Sequence, residues 1–148
     1  TKPREKVIAF EPHPLRYAYL WWNTKNNPTI TIRNDLVGHR SVDVWTTNNI
    51  NGLLGREVGS RVPDGHEHTY ELLGDWIPSE IKTLIKIDVE GYEVGVIESS
   101  DPEHRYEHNW LIEIHTNLVS EEEVLSHFSG RTIEILLERD NTKNVYIH

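Results

Sequence analysis

Residues 84–93 read Leu84-Ile85-Lys86-Ile87-Asp88-Val89-Glu90-Gly91-Tyr92-Glu93. The run from Leu84 to Val89 is short and rich in β-formers, and it ends on acids and a glycine. Such a run reads as a strand buried on both faces, the kind found in parallel sheets. Tyr92 to Ser99 then reads as a short helix or helical turn. Downstream, Trp110-Leu111-Ile112-Glu113-Ile114-His115 is a second core strand with a polar ending. Upstream, Lys6-Val7-Ile8-Ala9-Phe10 is another, closed by Glu11-Pro12-His13-Pro14. Pro14 suits the first turn of a helix, where its missing N–H costs nothing. Leu15, Ala18, Tyr19 and Trp22 then fall on one helical face, and Asn26-Asn27-Pro28 stops the helix.

Further strands are expected at Thr29–Arg33, at Val42–Thr46 after a turn at Gly38, and at His66–Leu72. The segment Asn48–Gly65 is rich in Asn and Gly and reads as a loop. A short helix is expected over Asp75–Lys82, holding Trp76 and Ile77. Ser120-Glu121-Glu122-Glu123 starts another, with acids in the first turn where the helix dipole favours them. Thr132–Glu138 and Lys143–Ile147 are joined by Arg139-Asp140-Asn141-Thr142, so they predict an antiparallel hairpin. Strands alternating with helices and closed by a hairpin define an α/β domain with a mostly parallel sheet.

Composition narrows the function. The chain has 148 residues and a formal charge of −9, enough for one domain spanning 1–148. With no cysteine there is no disulfide scaffold, thiolate metal site or cysteine nucleophile. The longest apolar run, Ala18–Trp22, is far short of the roughly 20 residues of a membrane span. A pI near 5.4 argues against nucleic acid as a partner, because phosphate binding needs positive surface. No address signal is visible, so a cytoplasmic location is the default expectation.

Ligands in open α/β sheets sit beyond the carboxyl ends of strands. Three strands here end in Glu11-Pro12-His13, Asp88-Val89-Glu90-Gly91 and Glu113-Ile114-His115. Strands also end in polar residues simply where solvent begins, but three such endings in one small domain point to a site. An acid like Glu11 at a strand end can accept hydrogen bonds from both ribose hydroxyls of a nucleotide. Asp88 and His115 end strands expected to be neighbours, about 4.8 Å apart, and could face one pocket as a base pair or within a metal site. His66 and His68 sit at i, i+2, a metal-pair spacing, although the Pro63-Asp64-Gly65 turn accounts for the same composition. Trp21-Trp22 with Tyr17 and Tyr19 could form a stacking platform, though core or interface packing is the commoner use of such residues.

The block Leu84 to Glu93 resembles the most distinctive motif of FkbM-type methyltransferases. Val7-Ile8-Ala9-Phe10-Glu11-Pro12-His13-Pro14, with Leu20, Asn23 and Asn27, is similar to that family's second strand and following helix, and Ile112–His115 to its next strand. The resemblance implies a Rossmann-like class I methyltransferase sheet and S-adenosylmethionine as cofactor. The substrate would be a hydroxyl of a sugar or small molecule. It places Glu11 on the cofactor ribose, Asp35 near the adenine, and Asp88 beside the methionine part or the acceptor. Glu90, Tyr92, Glu113 and His115 would then line the acceptor side, with Asp88, Glu113 and His115 the candidate catalytic groups. The family's first strand and its Asp-x-Gly-Ala-Asn-x-Gly turn have no counterpart in these residues. The expectation is therefore an N-terminally incomplete domain, with a strand owed between Lys6–Phe10 and Leu84–Val89. Two alternatives remain open: a non-catalytic methyltransferase-like interaction module, and a metal-dependent enzyme or binding protein using Asp88, His115, His66 and His68.

Overall fold

The structure is a computed structural model and describes residues 6–39, 45–46, 54–55, 70–78 and 80–148. The expectations for residues 42–44, 48–53 and 56–69, including His66 and His68, lie outside the described residues.

The chain is α/β, and its largest sheet has four strands. These are β7 (Leu84–Ile87), β8 (Asn109–His115), β9 (Ile133–Arg139) and β10 (Thr142–Ile147), in the order β7-β8-β10-β9. β7 runs parallel to β8, with Ile87 opposite Ile112. β10 is antiparallel to both β8 and β9. The hairpin expected from the short polar link is present, tightened to Asp140-Asn141. A separate parallel pair joins β1 (Val7–Phe10) to β2 (Ile30–Arg33) in register Val7 to Ile30. A two-residue parallel pair joins β3 (Leu36–Val37) to β6 (Tyr70–Glu71), and β4 (Trp45–Thr46) pairs antiparallel with β5 (Leu54–Gly55). Parallel and antiparallel pairings are thus equally represented among the described residues, so "mostly parallel" is too strong for the sheets.

The core lies on one face of the four-stranded sheet. Strand alternation sends Trp110, Ile112 and Ile114 of β8 and Val145 and Ile147 of β10 inward, all with no exposure. Two helices cover them. α2 (Glu93–Glu98) contributes Val96 and Ile97, and α4 (Glu121–Ser126) contributes Val124, followed by Phe128. Phe128 meets Trp110 edge to face at 5.2 Å. Ser120 caps α4 by accepting the Glu123 N–H at 3.3 Å. A further short helix, α3 (His104–Glu107), leads into β8.

Four expectations need correction. β7 is not buried on both faces: Ile85 and Ile87 are buried, while Leu84 and Lys86 face out, because only one face of this sheet is covered. β1 is likewise partly open, with Val7 and Ile8 exposed. The helix expected over Asp75–Lys82 is a single 3₁₀ turn at Leu73–Trp76, anchored by the Leu73 N–H on Ser99 Oγ at 3.1 Å. The first helix, α1 (Pro14–Thr24), forms where expected but rests on another face. Its half-buried residues are Tyr17, Leu20 and Thr24, and Leu15, Ala18, Tyr19 and Trp22 point outward. Among the described residues, no strand pairs with the second edge of β1 or of β7.

Candidate functional site

β1 and β7 both line one cavity of about 520 Å³, which runs along the two strands and past their carboxyl ends. Its wall collects Glu11, His13 and Arg16 from β1 and α1, Asp35 and Leu36 after β2, and Asp88, Glu90 and Tyr92 after β7. Five of the seven residues that the resemblance assigns to the site therefore share one cavity: Glu11, Asp35, Asp88, Glu90 and Tyr92. Its volume falls within the roughly 300–1,000 Å³ of small-molecule sites.

Each carboxylate is set by local structure. Glu11 Oε1 accepts the His13 N–H at 2.8 Å, which holds the side chain at the strand end. His13 in turn caps α1, its Nδ1 accepting the Leu15 N–H at 3.2 Å. Asn34 ties the strand ends together by donating to the Glu11 and Pro12 carbonyls. Asp35 Oδ2 accepts from Arg33 Nε at 2.7 Å. That guanidinium also reaches Glu71 at 3.3 Å and lies over the Trp76 ring. Asp88 pairs with Lys86 at 2.9 Å on the open side of β7.

The remaining two predicted residues lie apart from the cavity wall. Glu113 projects from β8 opposite Asn144 of β10 and is half-buried. His115 is buried, and no hydrogen bond or ion pair joins it to Asp88, although their strands are neighbours as expected. Instead His115 sits between two glutamates. Nδ1 is 2.7 Å from Glu93 Oε1, and Nε2 is 3.5 Å from Glu90 Oε2. Two consecutive left-handed residues, Glu90 at φ 53° and Gly91 at φ 95°, reverse the chain so that Glu90 and Glu93 flank one ring.

Glu93 is the functional candidate that the sequence reading passed over. It is fully buried, and its Oε1 also accepts the N–H groups of Gly91 and His115. The available signal was its place three residues after Glu90 across a glycine turn. Among the described residues no group of three or more His, Cys, Asp or Glu side chains could hold a metal ion. No described helix is long and apolar enough to cross a membrane.

The chain matches no protein-family model, no curated protein and no solved structure.

Proposed function

We propose that this chain is an S-adenosylmethionine-dependent O-methyltransferase of FkbM type, acting on a hydroxyl of a sugar or small molecule. The observation that carries the reading is that Glu11, Asp35, Asp88, Glu90 and Tyr92, all placed past the carboxyl ends of parallel strands, line one cavity. The strand order β7-β8-β10-β9, with β10 reversed, also supports it.

The residues fit the cofactor's chemistry. A cavity wall with four carboxylates against Arg16 and Lys86 keeps a negative balance that suits a cationic ligand, and Glu11 Oε2 is the atom to meet a ribose hydroxyl. Asp35 would stand at the adenine and Asp88 at the methionine ammonium. The cofactor, when bound, supplies a methyl group already activated on a sulfonium. The chain then has to place the acceptor oxygen in line and handle its proton. Placement of this kind is worth roughly 7–11 kcal/mol, and a positioned base about 10²–10⁴-fold. Glu90 and Tyr92 stand on the acceptor side of the cavity, with His115 behind Glu90. Asp88, Glu113 and His115 are the candidate bases. Calorimetric titration with S-adenosylmethionine should give saturable heat. No heat at millimolar cofactor would refute the proposal.

A second reading, the non-catalytic interaction module, is favoured by α1. Tyr19, Trp21 and Trp22 are 62%, 48% and 65% exposed, and Lys25 lies over both indoles. A chain that binds no S-adenosylmethionine and retains this aromatic face would fit that reading instead.

A further inference from the structure

Glu93 is a carboxylate in a place where a carboxylate is costly. It has no exposure, Oε1 collects every donor it meets, and Oε2 has no partner among the described residues. Burying a charged group with one oxygen unsatisfied opposes folding, and an apolar side chain of similar size would avoid that cost. The turn that delivers it adds a second cost, since Glu90 adopts a left-handed backbone that L side chains disfavour. What the carboxylate supplies is an acceptor for one imidazole nitrogen. Oε1 is 2.7 Å from His115 Nδ1 and already accepts the backbone N–H groups of Gly91 and His115, so it stands as an acceptor toward a proton on Nδ1. The second ring nitrogen, Nε2, faces Glu90 Oε2 at 3.5 Å with no hydrogen bond between them, on the side where Glu90 joins the cavity wall, so it is left without a set proton. The hydrogen bond made by one ring nitrogen sets the role of the other.

We infer that Glu93 is a positioning residue that locks His115 in the Nδ1–H tautomer and aims Nε2 at the acceptor side of the cavity. The inference rests on the methyltransferase reading for what the cavity binds, and it selects His115 from the three candidate bases. Neither Asp88, ion-paired on the open side of its strand, nor Glu113 has an orienting partner of this kind.

The test is nitrogen-15 NMR of the histidine rings in the full chain, in alkaline solution where an ordinary imidazole is neutral. The wild type should show His115 with its proton on Nδ1. Glu93→Gln should keep that tautomer, because three N–H groups converge on Oε1 and hold an amide oxygen there. Glu93→Leu should lose it. A wild-type His115 protonated on Nε2, alone or together with Nδ1, overturns the inference, and that measurement needs no variant to fold. A Glu93→Leu protein with the wild-type tautomer overturns it as well. The spectra require no cofactor, so failure of S-adenosylmethionine to bind would count against the methyltransferase reading while leaving the tautomer result to decide this one.

Discussion

Replacing Gly91 with alanine tests the turn on which the site depends. Gly91 has φ 95°, and a Cβ built there would lie 2.7 Å from Leu118 Cβ. Two separate costs follow. The left-handed backbone costs an L residue about 1–2 kcal/mol. Alanine's stiffer unfolded chain returns about 0.4–1 kcal/mol, leaving a net loss near 1. The clash with Leu118 adds overpacking of about 1–3 kcal/mol, because both Cβ atoms are fixed to backbone and cannot rotate away. The expected loss for Gly91→Ala is therefore about 2–4 kcal/mol. Gly130 separates the two costs: it has φ 83°, and an added Cβ there meets nothing within 4 Å. Gly130→Ala should lose only the backbone part, about 1 kcal/mol. Urea unfolding measures both, with thermal midpoints falling about 2–4 °C per kcal/mol for a chain of this size. If the two variants lose equal stability, the close approach of Gly91 to Leu118 is not real. The argument that this turn requires glycine for space would then fail.

Two other outcomes follow from the geometry. Glu11→Gln keeps an oxygen for the His13 N–H but loses the charge and one acceptor. With bonds to charged groups worth about 1.5–3 kcal/mol, S-adenosylmethionine should bind roughly 10–150-fold more weakly, and an unchanged calorimetric Kd would remove Glu11 from the cofactor site. Far from the cavity, His108 is buried and its Nδ1 accepts the Thr83 N–H at 3.2 Å, which only an unprotonated nitrogen can do. Burial, reinforced by His104, holds its pKa below the ordinary 6.5. Burial and Arg105 do the same to His127. A depressed folded pKa means that the unfolded chain takes up protons first. The stability these rings contribute is complete above about pH 6.5 and is lost as the pH falls through their folded values. Thermal midpoints should drop on acidification in that range, and an NMR titration of His108 with a midpoint at or above 6.5 would contradict this account.

The strand endings were legible because side-chain chemistry changes at one residue. Phe10 to Glu11 and Ile87 to Asp88 mark the places where a strand leaves the sheet, and all four residues line the cavity. The packing face of α1 was not legible. Leu15, Tyr17, Ala18, Tyr19, Leu20, Trp21 and Trp22 run right round the helix, so a 3.6-residue period offers several apolar stripes and selects none. The sheet beneath has only β1 and β2, and it takes the stripe of Tyr17, Leu20 and Thr24. β9 misleads in a similar way. Ile133, Ile135, Leu136 and Leu137 look like core, yet the whole strand is exposed at the edge of its sheet. An apolar run records β-propensity as well as burial, and sequence does not separate the two.

Glu93 was missed for a different reason. An acid in the first turn of a helix is the ordinary response to the helix dipole, and α4 shows that use at Glu121, Glu122 and Glu123. What distinguishes Glu93 is that β8 delivers His115 to it from the far side of the sequence, at 2.7 Å. The parallel register of β7 and β8 makes this meeting unavoidable. Ile87 opposite Ile112 sets how far each chain runs before leaving the sheet, and the left-handed pair Glu90-Gly91 turns one chain back across the end of the other. Glu11, Asp35 and Asp88 face the cavity directly, whereas His115 is reached only past Glu90. On the proposed reading the first group would hold the ligand and the ring would take the proton. A residue's part in such an arrangement is fixed by turn conformation and strand register; Gly91 marks the turn, but nothing beside Glu93 in the sequence encodes the register.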